Sequence, residues 1–273
     1  MSHEIDEILH GRESIHLSEY SEGELSILQS EISKLTVQLR EQAGVLRAEK
    51  IYLADSIADI SHQIRTPLTS INLILSFLSE PGLSEERRVQ LMQELTRFLS
   101  RIDWLISALL KMSKLDAGTA NIKKDSVSVA ELIKKAFEPV AIPMELRDQK
   151  MIVSMQGDET YFGDLSWSAE AIGNIFKNCM EHMPAGGKLY VSANMNGLFT
   201  EITIRDTGCG IAREDLPHLF ERFYKGSNAG DQSTGIGLAL ARMIVTGQNG
   251  TIKAENSKDG GALFTVRFYK GIV

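Results

Sequence analysis

The chain has 273 residues, 43% of them hydrophobic, with a formal net charge of −7 and an isoelectric point of about 5.5. That length holds one helical module and one compact domain of ordinary size, and the apolar fraction excludes a wholly disordered chain. The acidic balance argues against nucleic acid as a partner, because a phosphate backbone needs a basic surface.

No apolar run approaches the ~20 residues of a membrane span. His3, Glu4, Asp6 and Glu7 interrupt any signal-peptide core after Met1. The chain as it stands therefore reads as cytoplasmic, with membrane attachment only through a segment outside it. Two cysteines, Cys179 and Cys209, make no disulfide framework, and the six histidines show no metal-ligand spacing.

In chain order, Met1 to Glu22 is polar and punctuated by Gly11 and Gly23, which predicts a short helix and a connector. From Glu24 a heptad pattern runs through Leu25, Leu28, Ile32, Leu35 and Leu39 to Leu46 and Leu53, weakened at Gln42, Gly44 and Glu49. A second seam, Ile57, Ile60, Ile64, Ile71, Ile74 and Leu78, is out of phase with the first. The shift fits either a passive stalk or a stutter through which one coil state converts into another.

In this second seam His62 falls on the side away from the apolar stripe, with Thr66 and Thr69 further along the same outer face. Pro67 cannot donate a backbone hydrogen bond, so a bend is expected just after His62. The helix should stop near Leu78, before Ser79-Glu80-Pro81-Gly82, and Ser84 should cap the next one, with Glu85 and Glu86 in its first turn. That helix has its own seam at Leu95, Phe98, Ile102, Leu105, Leu109 and Met112, and ends near Leu115. One helical hairpin leaves apolar surface uncovered, so a homodimer forming a four-helix bundle is expected.

After Asp116-Ala117-Gly118 short strands alternate with helices. Strands are predicted at 126–129, 151–155, 160–162, 188–194, 199–206, 251–255 and 262–268, and helices at 129–140, 166–183 and 235–246. This is the texture of a two-layer α/β sandwich with helices on one face of a mostly antiparallel sheet. The fold class is α+β multidomain, divided as a coiled-coil linker (1–52), a helical hairpin (53–117) and an α/β domain (118–273).

Four pieces of the α/β domain carry chemistry. Asn174 and Asn178 lie four apart on one helix face, where an Asn carbonyl can ligate a phosphate-held Mg²⁺ and an amide can donate to phosphate. Asp206-Thr207-Gly208-Cys209-Gly210 follows a strand; the glycines let a flat ring approach, and the carboxylate can accept the amino hydrogen of adenine. Leu219 to Lys225 is an aromatic anchor followed by a cation. Ser233-Thr234-Gly235-Ile236-Gly237-Leu238-Ala239 opens a helix whose first N–H groups suit phosphate.

In this order the chain resembles the sensor histidine kinases of two-component systems, from about Leu53 to Phe268, with an ATP-binding domain of the Bergerat (GHKL) type. His62 matches the phosphoacceptor in the family's SHxxRTPL box, here Ser61-His62-Gln63-Ile64-Arg65-Thr66-Pro67-Leu68. Asn174 to Asn178 matches the N box, Asp206 to Gly210 the G1 box, Leu219 to Tyr224 the F box and Thr234 to Ala239 the G2 box.

The resemblance implies that Asn178 holds Mg²⁺, Asn174 contacts phosphate and Asp206 reads adenine. Gly208, Gly210, Ile211, Phe220, Thr234, Gly235, Gly237 and Leu238 would complete the ATP site. Lys225 to Thr234 resembles the lid over ATP, with Lys225 as its basic residue toward the γ-phosphate. The implied reaction is autophosphorylation of His62 from ATP and Mg²⁺, then transfer to the aspartate of a response regulator's receiver domain.

Departures from the family pattern bear on this reading. Gln63 stands where an acid usually follows the phosphoacceptor, and an amide is a poor base. Thr66 matches the threonine that positions water for dephosphorylating the regulator. Glu181 replaces a common Lys, which shifts weight to Lys225, with Lys177 a lesser helper. Gln248-Asn249-Gly250 replaces His-Gly-Gly without expected catalytic consequence, and Cys179 and Cys209 read as small buried fillers. Two rivals remain: a GHKL-type ATPase, disfavoured because Asn174 occupies the place of the water-activating Glu, and a kinase-weak dimeric phosphatase or scaffold.

Overall fold

The computed structural model describes residues 23–80, 82–227 and 234–270. The expected helix and connector within Met1 to Glu22, Pro81 of the turn and residues 228–233 of the expected lid lie outside the described residues. The chain divides into two units, Met1–Arg65 and Thr66–Val273.

Helix α1 (Gly23–Leu78) runs 56 residues without interruption, with Pro67 inside it. Pro67 is buried, as are Ile71 and Ile74. The proline thus occupies the seam position that the apolar pattern skips. In the first unit the heptad residues Leu35, Leu39, Leu46 and Ile57 are exposed on the single chain.

Helix α2 (Glu85–Asp116) begins where Ser84 Oγ accepts from Arg87 N at 3.3 Å, with Glu85 and Glu86 in the first turn and Lys114 in the last. Gly118, at φ 64°, closes it by donating to the Leu115 carbonyl at 3.1 Å. Three faces of α2 differ. Leu91, Leu105, Ala108 and Met112 are buried, flanked by half-buried Leu95, Phe98, Ile102 and Leu109. A second apolar stripe, Val89, Met92, Leu99, Ile106 and Leu110, stays exposed. Arg97, Arg101, Trp104 and Lys111 form a third row at helical spacing.

The α/β domain follows as β1 (Asp125–Ser128), α3 (Val129–Glu145), β2 (Lys150–Ser154), β3 (Thr160–Gly163), α4 (Leu165–His182), β4 (Lys188–Met195), β5 (Phe199–Arg205), α5 (Gly237–Gly247), β6 (Gly250–Asn256) and β7 (Ala262–Tyr269). Five strands pair in the order β2-β4-β5-β7-β6, and β1 pairs with β3. Among the described residues only β2 and β4 pair in parallel. Strand β5 shows why one face is covered: Thr200, Ile202 and Ile204 are buried, while Glu201, Thr203 and Arg205 alternate outward. Leu189, Phe264, Val266 and Phe268 extend this inner face. Against it pack α3, α4 and α5, the middle helix contributing Ile172, Ile175 and Phe176, all fully buried. Each such side chain stabilises the fold by about 1.5–3 kcal/mol.

Helix α3 is longer than its prolines suggest, reaching Glu145 rather than Val140. Pro139 and Pro143 lie four apart on its exposed side, where water can satisfy the carbonyls that lose a donor. On the opposite side Val140 and Met144 continue the buried row Leu132, Ile133 and Ala136. Apolar burial therefore carries the helix through both prolines.

Candidate functional site

Helix α4 starts from Asp164, whose Oδ1 accepts from Ser166 N at 2.9 Å and Trp167 N at 3.1 Å, and whose Oδ2 accepts from Lys123 N at 3.2 Å. With one flank fixed in the core, its other flank presents Asn174, Lys177, Asn178, Glu181 and His182 to a cavity of about 880 Å³. Asn174 Nδ2 is buried and has no hydrogen-bond partner among the described residues. An orphaned amide donor of this kind suits an anionic ligand.

Across the cavity, Asp206 is 2% exposed at the end of β5. Its Oδ1 accepts from Gly208 N at 2.8 Å and Ala262 N at 3.0 Å. Gly261, at φ 81°, passes so close that a Cβ there would lie 2.0 Å from the Asp206 carbonyl oxygen. Beneath Asp206 sits Cys179; burial, then the charge and hydrogen bond of Asp206, push its thiol well above the usual range. Cys179 is the inert buried filler expected, whereas Cys209 is exposed.

The glycine turn is tied from the far edge of the sheet. Asn256 Oδ1 accepts from Ile211 N and Asn256 Nδ2 donates to Ile211 O, both at 2.7 Å. Thr234, Gly235, Gly237 and Leu238 line the cavity where α5 begins, so the positive end of that helix faces it. A Cβ on Gly237 would lie 3.3 Å from Asn174 Oδ1, a tight contact that shows how closely the start of α5 approaches that side chain.

The cavity collects Asn174, Asn178, Asp206, Gly210, Ile211, Lys225, Thr234, Gly235, Gly237 and Leu238. Two of the grouped residues are not in its lining. Gly208 shapes the turn, because a Cβ there would strike the His182 carbonyl at 2.6 Å. Phe220 packs under Arg242, whose guanidinium carbon is 6.0 Å from the ring centroid; its neighbour Leu219 reaches the cavity instead. His62, exposed, and Gln63, half-buried, belong to the first unit, and Thr66 is exposed at the start of the second.

Helix α2 supplies a wall that sequence reasoning missed, with Glu94, Arg97, Arg101 and Trp104 in the lining. Lys177 Nζ stands 5.1 Å from the Trp104 ring centroid. Further along, Lys111 Nζ bonds both Glu170 oxygens at 2.7 Å, and Arg222 bonds Asp116 at 2.5 Å. The signal lay in the spacing of Arg97, Arg101, Trp104 and Lys111, a polar row one step round the helix from the apolar seam. Gln248 has a structural role: its Oε1 accepts from Asp164 N at 2.6 Å and Ser168 Oγ at 3.1 Å, anchoring the start of α4.

Among the described residues no group of three His, Cys, Asp or Glu side chains could hold a metal ion, and no helix is long and apolar enough to cross a membrane.

Comparison with known proteins agrees with this geometry. The His Kinase A (phospho-acceptor) domain matches residues 52–118, and the histidine kinase-, DNA gyrase B- and HSP90-like ATPase matches residues 163–271, together more than half of the chain. The sensor protein SphS of Synechococcus elongatus is 33% identical over 83% of this chain and 59% of its own length. The heme sensor protein HssS of Staphylococcus saprophyticus is 29% identical over 97% of this chain and 55% of its own. The chain thus spans less than two thirds of these curated relatives.

Among solved structures, the Acinetobacter baumannii histidine kinase AdeS superposes with a TM-score of 0.66 at 20% identity, covering 77% of this chain and 98% of that one. Histidine kinase ThkA, in complex with the response regulator TrrA, gives a TM-score of 0.66 at 17% identity, covering 82% of this chain and 64% of that one. These two likenesses show the fold. The chain belongs to the sensor histidine kinases of two-component systems, a helical phospho-acceptor region followed by an α/β domain of the ATP-binding ATPase family.

Proposed function

We infer that the chain catalyses ATP-dependent phosphorylation of its own His62 and passes the phosphoryl group to the aspartate of a response regulator receiver domain. The observation that carries this reading is the cavity itself: Asn174, Asn178, Asp206 and the start of α5 converge on it, in a chain that also exposes His62. Asp206 would accept from the adenine amino group, the N–H groups opening α5 would hold phosphate, and Lys225 would meet the γ-phosphate.

The orphaned Asn174 amide and the oxygen donor of Asn178 fit a Mg²⁺-nucleotide, with Asn178 the residue that would hold the ion. Bound there, the ion supplies charge neutralisation to the phosphates. In the transfer a neutral imidazole nitrogen of His62 attacks the γ-phosphorus. The N–P bond forms as the bond to the β-phosphate oxygen breaks, ADP leaves, and the imidazole proton passes to solvent. The Gln63 carbonyl can orient the ring but is a poor base.

Two features support a homodimer. The stripe Val89, Met92, Leu99, Ile106 and Leu110 is exposed on a single chain, and so is much of the α1 heptad. A second copy would bury both. Thr66, exposed four residues after His62 on the same helix, supports a second activity, dephosphorylation of the regulator through a positioned water. The ThkA complex supports the choice of partner.

The test is incubation with γ-labelled ATP and Mg²⁺. Acid-labile, alkali-stable label on the wild type and none on His62→Gln is expected. Label-free turnover to ADP would instead establish an ATPase.

A further inference from the structure

Asp215 has no place in the reaction so far. It is 6% exposed, in the segment between the glycine turn and the aromatic anchor, and it borders the cavity. Its Oδ1 accepts from the Tyr224 hydroxyl at 2.7 Å, and its Oδ2 accepts from Ser227 N at 3.0 Å and Ser227 Oγ at 3.1 Å. Between those two partners lie Lys225 and Gly226. Gly226 is pressed onto the same carboxylate: a Cβ there would fall 2.7 Å from Asp215 Oδ2.

The stem of this loop is pinned as well. Phe223 N donates to the Gly235 carbonyl at 2.9 Å, with Phe223 held at φ 64° and Gly235 at φ 69°. Any Cβ on Gly235 would lie 2.5 Å from the Tyr224 carbonyl oxygen. A bulky residue in left-handed backbone persists only where its surroundings enforce it. The Tyr224 hydroxyl, with the two Ser227 donors, holds the Asp215 carboxyl below the usual carboxylate range, against the opposing effect of burial. In return Asp215 pushes the Tyr224 hydroxyl up to about 12. The carboxylate thus stays ionised and the phenol stays a donor, as the clamp requires.

We propose that Asp215 is a positioning residue for Lys225: by fixing the chain on both sides of that lysine, it sets the ammonium group at the cavity wall where a γ-phosphate would lie. Asp215 itself contacts no reacting atom. Its negative charge is taken up by three donors of this chain, which lets a carboxylate border a polyanion site. This role rests on the nucleotide reading above, and it selects for triphosphate over diphosphate because only the former reaches Lys225.

The test measures Mg²⁺-dependent binding of ADP and of the non-hydrolysable imido analogue of ATP to the full chain carrying Asp215→Ala, Asp215→Asn, Lys225→Ala and the Asp215→Ala/Lys225→Ala pair. Asp215→Ala is expected to weaken the triphosphate analogue about tenfold and to leave ADP within about twofold, the loss of one charge-assisted contact. Asp215→Asn, which can still accept from Ser227 N and meet the Tyr224 hydroxyl, should recover part of the loss. In the pair, Asp215→Ala should add nothing to Lys225→Ala.

Equal losses for both nucleotides would mean that Asp215 only maintains the fold. Additive losses in the pair, or no loss in Lys225→Ala, would also overturn the proposal while leaving the nucleotide site intact. Failure of the wild type to bind either nucleotide would overturn the functional reading itself.

Discussion

Lys111 Nζ on α2 sits 2.7 Å from both carboxylate oxygens of Glu170 on α4, joining the helical region to the ATP-binding domain through one ammonium group. The two side chains are 41% and 27% exposed, so solvent screens part of the attraction. Glu170→Gln should lower stability by about 0.5–1 kcal/mol. The exchanged pair Lys111→Glu/Glu170→Lys should recover most of that. Urea denaturation of the wild type, Glu170→Gln, the two reversed single variants and the exchanged pair checks both, and an exchanged pair no better than the reversed single variants would count against a direct interaction.

Gly261 crosses the base of the candidate adenine site closely enough to leave no room for a methyl group. Gly261→Ala combines left-handed backbone strain with a collision against the Asp206 carbonyl. It should cost about 2–4 kcal/mol and abolish nucleotide binding. Gly260, at φ 89° with nothing within 4 Å of a Cβ, is the matched control. Gly260→Ala should cost only about 1 kcal/mol and leave nucleotide affinity unchanged. Comparing melting temperatures with nucleotide titrations of the two variants separates collision from strain.

Gln63 follows His62, the proposed phosphoacceptor, with an amide that cannot take an imidazole proton. Gln63→Glu should therefore raise the initial rate of His62 labelling by about tenfold or more. An unchanged rate would show that proton removal does not limit transfer.

Acid should unfold the ATP-binding domain through two buried carboxylates. For both, burial alone would raise the pKa, but backbone N–H donors outweigh it: Gln156, Glu159 and Gly157 for Glu159, and Trp167, Lys123 and Ser166 for Asp164, the latter aided by the Lys123 charge. A carboxyl depressed in the folded state binds fewer protons there than when unfolded. Its stabilisation is complete above the ordinary values of 4.5 and 3.8 and is lost as pH falls below them. Urea midpoints should be flat from about pH 8 to 5 and then drop. Glu159→Gln should be less stable at neutral pH and lose less on acidification.

Local pattern revealed the elements and gathered Asn174, Asn178, Asp206 and the start of α5, because helical spacing and glycine turns are short-range signals. It stopped α3 early, at about Val140, because burial of Val140 and Met144 overrides a helix breaker only where the carbonyls left without donors face water. It could not show Asn256 holding Ile211 from 45 residues away, nor Gln248 holding Asp164 across 84. Such pairings depend on which strands become neighbours. The α2 wall was hidden differently, because its Arg and Trp residues lie outside the apolar seam that identified the helix.

Three consecutive residues of α2 point three ways: Trp104 into the cavity wall, Leu105 into the protein at 1% exposure and Ile106 outward at 45%. Inserting one residue ahead of them would turn everything beyond by about 100°, handing each neighbour a side chain suited to another. Such a helix can exchange one residue for another of like character but cannot slip. Lengthening or trimming it would be tolerable only in whole heptads, which keep all three sides in phase.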